Sequence, residues 1–251
     1  MLNRNGIRPG LEISLISICA ALYAALGYLT YLGIFAPVFG TVRFWPSVIV
    51  PAAFSMLFSP RVGGIGAAIG IFISDMMVHG NPVLSLTVGV PANFAAFYLM
   101  GWLAQRWRSR NSVVFATSIQ LIPVAVCAAI YFLELIDWLT ALIYFAVSII
   151  VLAFTVALAL VHRKFLGIAA ASSLGLMVGS AIIGIGLWAY SQLFVLPFGV
   201  KNAPVIFVLG WFLWTYLTEI PFIQFFLPPI LKVVSKVFPS SGVLSEERVK
   251  A

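Results

Sequence analysis

Charged side chains are scarce in this sequence. Asp, Glu, Lys and Arg together make up 8% of its 251 residues, whereas 63% of the residues are hydrophobic. A water-soluble chain of this length needs far more polar surface to cover its core. The mean hydropathy of +1.12 leads to the same conclusion. The sequence therefore predicts an all-α polytopic membrane protein, with residues 1–251 forming a single integral membrane domain.

Acidic residues are rarer still, 7 against 14 basic ones, which gives a formal charge of +7. A basic excess can indicate a nucleic-acid partner, but here the charge is sorted by loop. All Lys and Arg residues except Arg43 and Lys201 fall in segments that we predict on one side of the membrane. Such sorting is typical of the positive-inside rule. We therefore predict contact with the lipid bilayer of the cell membrane and no nucleic-acid partner.

The motifs of several enzyme classes are missing. GxxxxGK[ST], HExxH and GxSxG do not occur, so we predict that the chain is not an enzyme and does not hydrolyse ATP through a phosphate-binding loop. Cys19 and Cys127 both lie in apolar stretches, which argues against a disulfide or a metal site. Neither His79 nor His162 is assigned a ligand role. We therefore predict no cofactor.

Long apolar stretches predict about eight membrane helices. The first, from Leu11 to Gly33, is too long for the core of a signal peptide. The others cover about 46–58, 60–78, 84–104, 112–133, 138–161, 169–193 and 205–231. With this count, both termini and the basic segments 106–110 and 162–164 all lie on the cytoplasmic side.

The second helix, about 46–58, is unusually short. At about 1.5 Å per residue it covers roughly 20 Å, against about 30 Å of bilayer hydrocarbon. Its unpaired terminal backbone groups cannot face lipid, so they must be covered by protein or line a wet cavity. Arg43, Trp45 and Pro46 precede it, and Arg61 follows it. The pattern predicts the wall of an outward-facing cavity, together with segment 33–45 and the outer ends of helices four, seven and eight.

Candidate substrate-binding residues surround this predicted cavity. Arg43 and Trp45 place a guanidinium beside aromatic faces, which suits an anionic or planar ligand, although an interfacial anchor is the alternative. Asn93, after Pro91, is a candidate, but its amide could instead satisfy a backbone carbonyl. The remaining candidates are polar or aromatic residues near the outer helix ends: Asp75, Trp188, Tyr190, Lys201 and Asn202. Aromatic residues there are also typical of a membrane-interface belt.

Two acids, Asp75 and Glu219, lie inside predicted membrane spans, where ionisable residues are functional candidates. Counting along the helices puts Asp75 about 6 Å and Glu219 about 22 Å from the outer side. We therefore expect no contact between the two carboxylates. An interfacial Asp75 and a Glu219 satisfied by neighbouring hydroxyl groups are the alternatives.

One face of helix one consists of small residues: Ser17, Ala20, Ala21, Ala24, Ala25 and Gly27. Small residues at such spacings let another helix approach closely. That helix belongs either to this chain or to a separate subunit, and the sequence leaves both possibilities open.

The spacings Ala20 to Ala24 and Ala21 to Ala25, followed by VRFWPSVIVPAAFSMLFSPRVGGIGAAIGIFISD, resemble the substrate-binding S components of energy-coupling factor (ECF) transporters. The resemblance covers about 11–104 and, more weakly, 170–231, where EIPFIQFFLPPILK is similar to the closing helix of the family. It implies a membrane protein that captures a vitamin or similar micronutrient from outside. Its partners would be a transmembrane coupling subunit and two cytoplasmic ATPases. The family fold has six helices, so the chain would carry an inserted hairpin at about 112–161.

Two other functions stay open at this point. An ion-coupled secondary transporter or channel would use Asp75 and Glu219, and a membrane scaffold would bind no small molecule. A requirement for ATP supplied by other subunits would favour the capture subunit. A requirement for a proton gradient would favour the secondary transporter.

Overall fold

The fold is all-helical apart from one minimal hairpin. The computed structural model describes residues 8–31, 38–39, 42–43, 45–107, 112–161, 165–197 and 199–237. Its helices are α1 Pro9–Tyr31, α2 Ile49–Leu57, α3 Pro60–Val78, α4 Pro82–Arg106, α5 Ser112–Phe132, α6 Trp138–Val161, α7 Leu166–Leu193 and α8 Phe207–Val237. Strands β1 Val38–Phe39 and β2 Val42–Arg43 pair antiparallel, and a 3-10 turn, Pro46–Val48, leads into α2.

Six of these helices are long and apolar enough to cross a membrane, namely α1, α3, α4, α6, α7 and α8. Two further apolar segments of the described chain, Pro46–Leu57 and Ser118–Phe132, are shorter. The prediction of an all-helical, multi-pass membrane protein is confirmed. The number of eight crossings stays a prediction.

Both ends of α2 are in contact with protein, as its short length requires. Trp45, at its beginning, is buried inside the bundle. At the other end, the Ser59 side chain accepts a hydrogen bond from the Val62 N–H at 3.2 Å, which caps α3 directly after α2 ends. Pro60 occupies the first turn of α3, where its missing N–H costs nothing. The residues that flank the half-length helix, Trp45 and Ser59, are therefore both buried against the rest of the chain.

Small residues bring the central helices close together. A Cβ on Gly70 of α3 would lie 2.8 Å from the Ala20 carbonyl oxygen of α1. A Cβ on Gly179 of α7 would lie 2.7 Å from the Ala96 Cβ of α4. These contacts are shorter than van der Waals separation, so only glycine allows the observed spacing of the helices.

The small-residue face of α1 is divided between the inside and the outside of the bundle. Ala20, Ala24 and Gly27 are buried against the rest of the chain, with Ala20 at 3% and Ala24 at 5% exposure. Ser17, Ala21 and Ala25 are exposed. Packing inside the chain therefore accounts for the first three residues. Docking of a separate subunit stays a prediction, and within this set only the exposed three are available for it.

Helices α5 and α6 pack against each other and against α7 and α8. A buried polar network attaches them. The Gln120 amide of α5 donates to the Ser173 hydroxyl of α7 and accepts from the Tyr216 hydroxyl of α8 at 2.8 Å. Gln224 of α8 also donates to Ser173, at 2.9 Å. Because lipid offers no hydrogen-bonding partner, such mutually satisfied amides hold the α5–α6 hairpin in one position.

Asp137 caps the beginning of α6 at the turn of this hairpin. Its carboxylate accepts hydrogen bonds from the Thr140 hydroxyl at 2.6 Å, from the Thr140 N–H at 3.0 Å and from the Leu139 N–H at 2.9 Å. These hydrogen bonds, led by the one from the Thr140 side chain, hold the pKa of Asp137 below its ordinary value. The cap therefore stays ionised at the helix end, where a negative charge is favourable.

Candidate binding cavity

A cavity of about 120 Å³ lies among α1, the Trp45 end of α2, α3, α4, α7 and α8. This volume corresponds to roughly ten water-sized positions, enough for a small organic molecule. His79, Leu84 and Pro197 line it at the end of the bundle where α3 and α7 end and α4 and α8 begin. We call this end the His79 end. The lining residues of α4 run from Leu84 to Phe97, about 20 Å along the helix.

One wall of the cavity is aromatic. Tyr23 of α1 meets the Trp45 and Phe97 rings edge to face, at centroid distances of 6.4 and 6.1 Å. All three side chains line the cavity. Trp45 is 6% exposed, and its indole Nε1 has no partner with hydrogen-bond geometry among the described residues. The wall combines flat apolar rings with one buried indole N–H.

Asn93 joins this wall to α4. The Tyr23 hydroxyl donates to Asn93 Oδ1 at 2.7 Å, and Asn93 Nδ2 donates to the Gly89 carbonyl at 2.9 Å. The sequence left open whether Asn93 binds substrate or satisfies the backbone. The structure shows the backbone contact and also places Asn93 in the cavity lining.

Asp75 lies at the His79 end of the cavity and has two partners. The Ser85 hydroxyl donates to Asp75 Oδ2 at 2.6 Å, and His79 Nε2 lies 3.4 Å from Asp75 Oδ1. The Asn81 N–H donates to His79 Nδ1 at 3.1 Å, which leaves Nε2 as the ring nitrogen that faces Asp75. The sequence assigned no role to His79, although its spacing of four residues from Asp75 on a helix places both on one face.

The approach of α4 to Asp75 depends on a π-helical segment, Ser85–Gly89. A Cβ on Gly89 would lie 2.8 Å from Asp75 Oδ2. Glycine therefore lets α4 run directly beside the carboxylate, while Ser85, at the start of the same segment, donates to it. Single π-helical turns are frequently found at functional sites, where they displace a helix locally.

Glu219 of α8 also lines the cavity and is 8% exposed. Among the described residues, its carboxyl group has no hydrogen-bond or ion-pair partner. The nearby hydroxyl groups are used elsewhere: Thr215 donates to the Trp211 carbonyl at 2.8 Å and Thr218 to the Trp214 carbonyl at 2.7 Å. The alternative of a Glu219 satisfied by neighbouring hydroxyls is therefore not what the structure shows. The Ser180 hydroxyl, in the same cavity, is likewise buried without a partner in the described chain.

The two acids share one cavity. The sequence placed them at different depths and predicted no contact, and none is seen between their carboxyl groups in the described chain. The two residues line one cavity although they lie at different depths, because the cavity lining extends over about 20 Å. Asp75 and Glu219 therefore line the same cavity.

Several other predicted residues lie outside the lining. Trp188 is half-buried, and Lys201 and Asn202 are exposed. Tyr190 is buried behind the cavity, where its hydroxyl accepts a hydrogen bond from Asn81 Nδ2 at 2.9 Å. The side chain of Arg43 falls outside the described part of the structure, so its contact with ligand stays a prediction. No described Lys or Arg side chain lines the cavity.

No metal centre accompanies the cavity within the described chain, since no group of three or more His, Cys, Asp or Glu side chains could hold an ion there. Comparisons with protein-family models, curated proteins and solved structures find no match to this chain.

Proposed function

We propose that this protein is the membrane-embedded substrate-capture subunit of an ECF-type uptake transporter for a vitamin or similar micronutrient. ATP hydrolysis would be supplied by separate cytoplasmic subunits through a transmembrane coupling subunit. One observation carries the proposal: the cavity walls come from α1, Trp45 ahead of α2, α3, α4, α7, α8 and the loop before α8, and no described residue of α5 or α6 lines the cavity. These walls belong to the same two stretches, about 11–104 and 170–231, on which the resemblance rests.

The form of the cavity supports a binding role. Ligand sites are typically concave and mostly apolar, with a few polar groups that orient the ligand. Here the apolar part is the wall of Tyr23, Trp45 and Phe97, and the polar part includes the acid Glu219 and Ser180, whose buried hydroxyl has no partner in the described chain. Buried polar groups are normally satisfied, so an unpartnered hydroxyl in the lining supports binding of a ligand there.

In this proposal the chain crosses the cell membrane eight times, with both termini in the cytoplasm and the His79 end outside. Single cysteines introduced at Ser109 and at Asn202 should react with a membrane-impermeant maleimide from opposite sides. The native Cys19 and Cys127 are buried, and replacing both by serine removes any background. Labelling of both introduced cysteines from outside intact cells would contradict the eight-crossing topology.

Capture predicts that a small molecule copurifies with the protein and can be identified by mass spectrometry. Trp45→Ala should then weaken binding of that molecule five- to a hundred-fold, about 1–3 kcal/mol, because a stacked aromatic contact is lost. Trp138→Ala is the matched control, since Trp138 is 68% exposed and outside the cavity. Equal affinities for Trp45→Ala, Trp138→Ala and the wild type would rule out the aromatic wall as the binding surface.

An ion-coupled secondary transporter is the second candidate, and the placement of Asp75 and Glu219 in one cavity favours it. Proteoliposomes that contain this chain alone separate the two functions. Uptake of the copurified molecule driven by an imposed pH gradient would support the carrier. Uptake only after addition of the coupling subunit, the ATPases and ATP would support the capture subunit.

A further inference from the structure

We infer that the cavity selects a small planar organic cation, an aromatic or heteroaromatic ring that carries a protonated amine or amidine, with its positive charge at Glu219. This inference names the substrate class of the proposed capture function and rests on it. It is drawn from the charges, the ring faces and the unpartnered polar atoms of the cavity.

The charge balance of the lining is negative. Among the described residues it contains Asp75 and Glu219 but no Lys or Arg, and the one histidine of the lining, His79, lies beside Asp75 and not beside Glu219. Asp75 is already stabilised by Ser85 and His79. Glu219 has no such partner in the described chain. Burial of a lone carboxylate away from water is costly, and a cation beside it removes much of that cost.

The aromatic wall favours the same ligand. The faces of aromatic rings such as Tyr23, Trp45 and Phe97 carry negative electrostatic potential, which attracts an organic cation. The same rings can stack with a flat ligand ring. The Ser180 hydroxyl, buried without a described partner, offers one further hydrogen bond. A hydrated metal ion would gain little from such flat apolar surfaces, because hard cations require several oxygen ligands.

The same lining residues disfavour an anionic ligand. Its charge would face the two carboxyl groups in a volume of about 120 Å³, with no described Lys or Arg in the lining to balance it. Like charges at short distance in a medium of low dielectric constant repel strongly. The two acids, with no described Lys or Arg in the lining, thus favour a cation over an anion. Glu219, which has no partner in the described chain, favours a cation over a neutral molecule.

The test uses three nearly isosteric planar probes that differ in charge: benzamidinium, benzamide and benzoate. Their binding to the full-length protein in nanodiscs of phosphatidylcholine is measured by isothermal titration calorimetry, because a lipid without net charge does not concentrate either ion. We expect benzamidinium to bind at least about ten-fold more tightly than benzamide, and benzoate not to bind. Glu219→Gln should remove this ten-fold preference and leave benzamide affinity unchanged.

Glu134→Gln is the matched control, because Glu134 lies exposed in the turn between α5 and α6. It should bind the three probes as the wild type does. The melting temperature distinguishes a structural role for Glu219 from a ligand-binding role. Removal of an unpaired buried charge should leave the ligand-free protein as stable as the wild type or more stable, whereas loss of a structural contact would lower its melting temperature.

Benzamide or benzoate affinity equal to or above that of benzamidinium would overturn the inference, and so would the failure of all three probes to bind. If Glu219→Gln does not fold, the order of the three wild-type affinities decides alone. The capture function is judged separately. A neutral or anionic copurifying molecule would overturn the cation preference and leave capture standing, while the absence of both a copurifying molecule and ATP-dependent uptake would remove capture itself.

Discussion

Under the proposed capture function, Ala21→Trp and Ala25→Trp are expected to leave ligand binding intact and to abolish ATP-dependent uptake by the proposed complex. Both residues are exposed on α1, beside the buried Ala20 and Ala24. Lipid tails are as apolar as leucine side chains, so membrane helices associate mainly through close packing across small residues. A tryptophan on this face would hold a partner helix several ångströms away and remove most of the dispersion energy of the contact.

The experiment pairs a binding measurement on the isolated protein with an uptake measurement on the complex. Ala125→Trp, at an exposed position of α5, is the control for a bulky residue that faces lipid elsewhere. Ala20→Trp and Ala24→Trp should instead impair folding, because these residues are 3% and 5% exposed against the rest of the chain. Full uptake with tryptophan at both position 21 and position 25 would show that this face does not dock the coupling subunit.

Gly63→Ala and Gly101→Ala should each destabilise the protein by about 1–3 kcal/mol or more, through overpacking around α2. A Cβ on Gly63 would lie 2.6 Å from Ser55 Cα, and one on Gly101 would lie 2.6 Å from the Ser55 carbonyl oxygen. These neighbours are backbone atoms of a fully buried residue in α2, so they cannot turn aside as a flexible side chain would. The helix must shift as a whole, and Trp45, at its beginning, must shift with it.

The measurements are melting temperature and ligand affinity in the same detergent. A loss of this size corresponds to a fall of roughly 3–10 °C for a chain of this length. Gly10→Ala is the matched control, since a Cβ there meets nothing within 4 Å and alanine favours a helix. If Gly63→Ala and Gly101→Ala melt at the same temperature as Gly10→Ala, then α2 can move to accommodate the added Cβ. The overpacking prediction would then be wrong.

Helix positions were predictable because apolar length is a local property of the chain. The short second helix was predicted at about 46–58 and occupies Pro46–Leu57, including its first 3-10 turn. The sixth was predicted at 138–161 and is found at Trp138–Val161. The last extends to Val237, beyond the predicted 231, and contains Pro228 and Pro229. The prediction followed the apolar stretch, whereas the helix continues through residues such as Lys232, Val233 and Lys236, which are exposed.

Part of the cavity was also predictable. Trp45, Asp75 and Asn93 were chosen because a short helix, an intramembrane acid and an amide beside proline each leave a polar group that lipid cannot satisfy. All three line the cavity. His79 was missed, because its position near a loop gave no sign that the Asn81 N–H would donate to its Nδ1 and that its Nε2 would lie beside Asp75.

The sequence by itself determined that the chain is a helical membrane protein with one half-length helix, because few charges and long apolar stretches exclude other solutions. Only the tertiary structure decided which face each helix presents to its neighbours. It placed Ala20 inside and Ala21 outside on α1, and it brought Asp75 and Glu219 to one cavity from opposite parts of the chain. In lipid, a helix that is apolar all round carries no pattern that marks its inner face, so side-chain packing and polar partners make that choice.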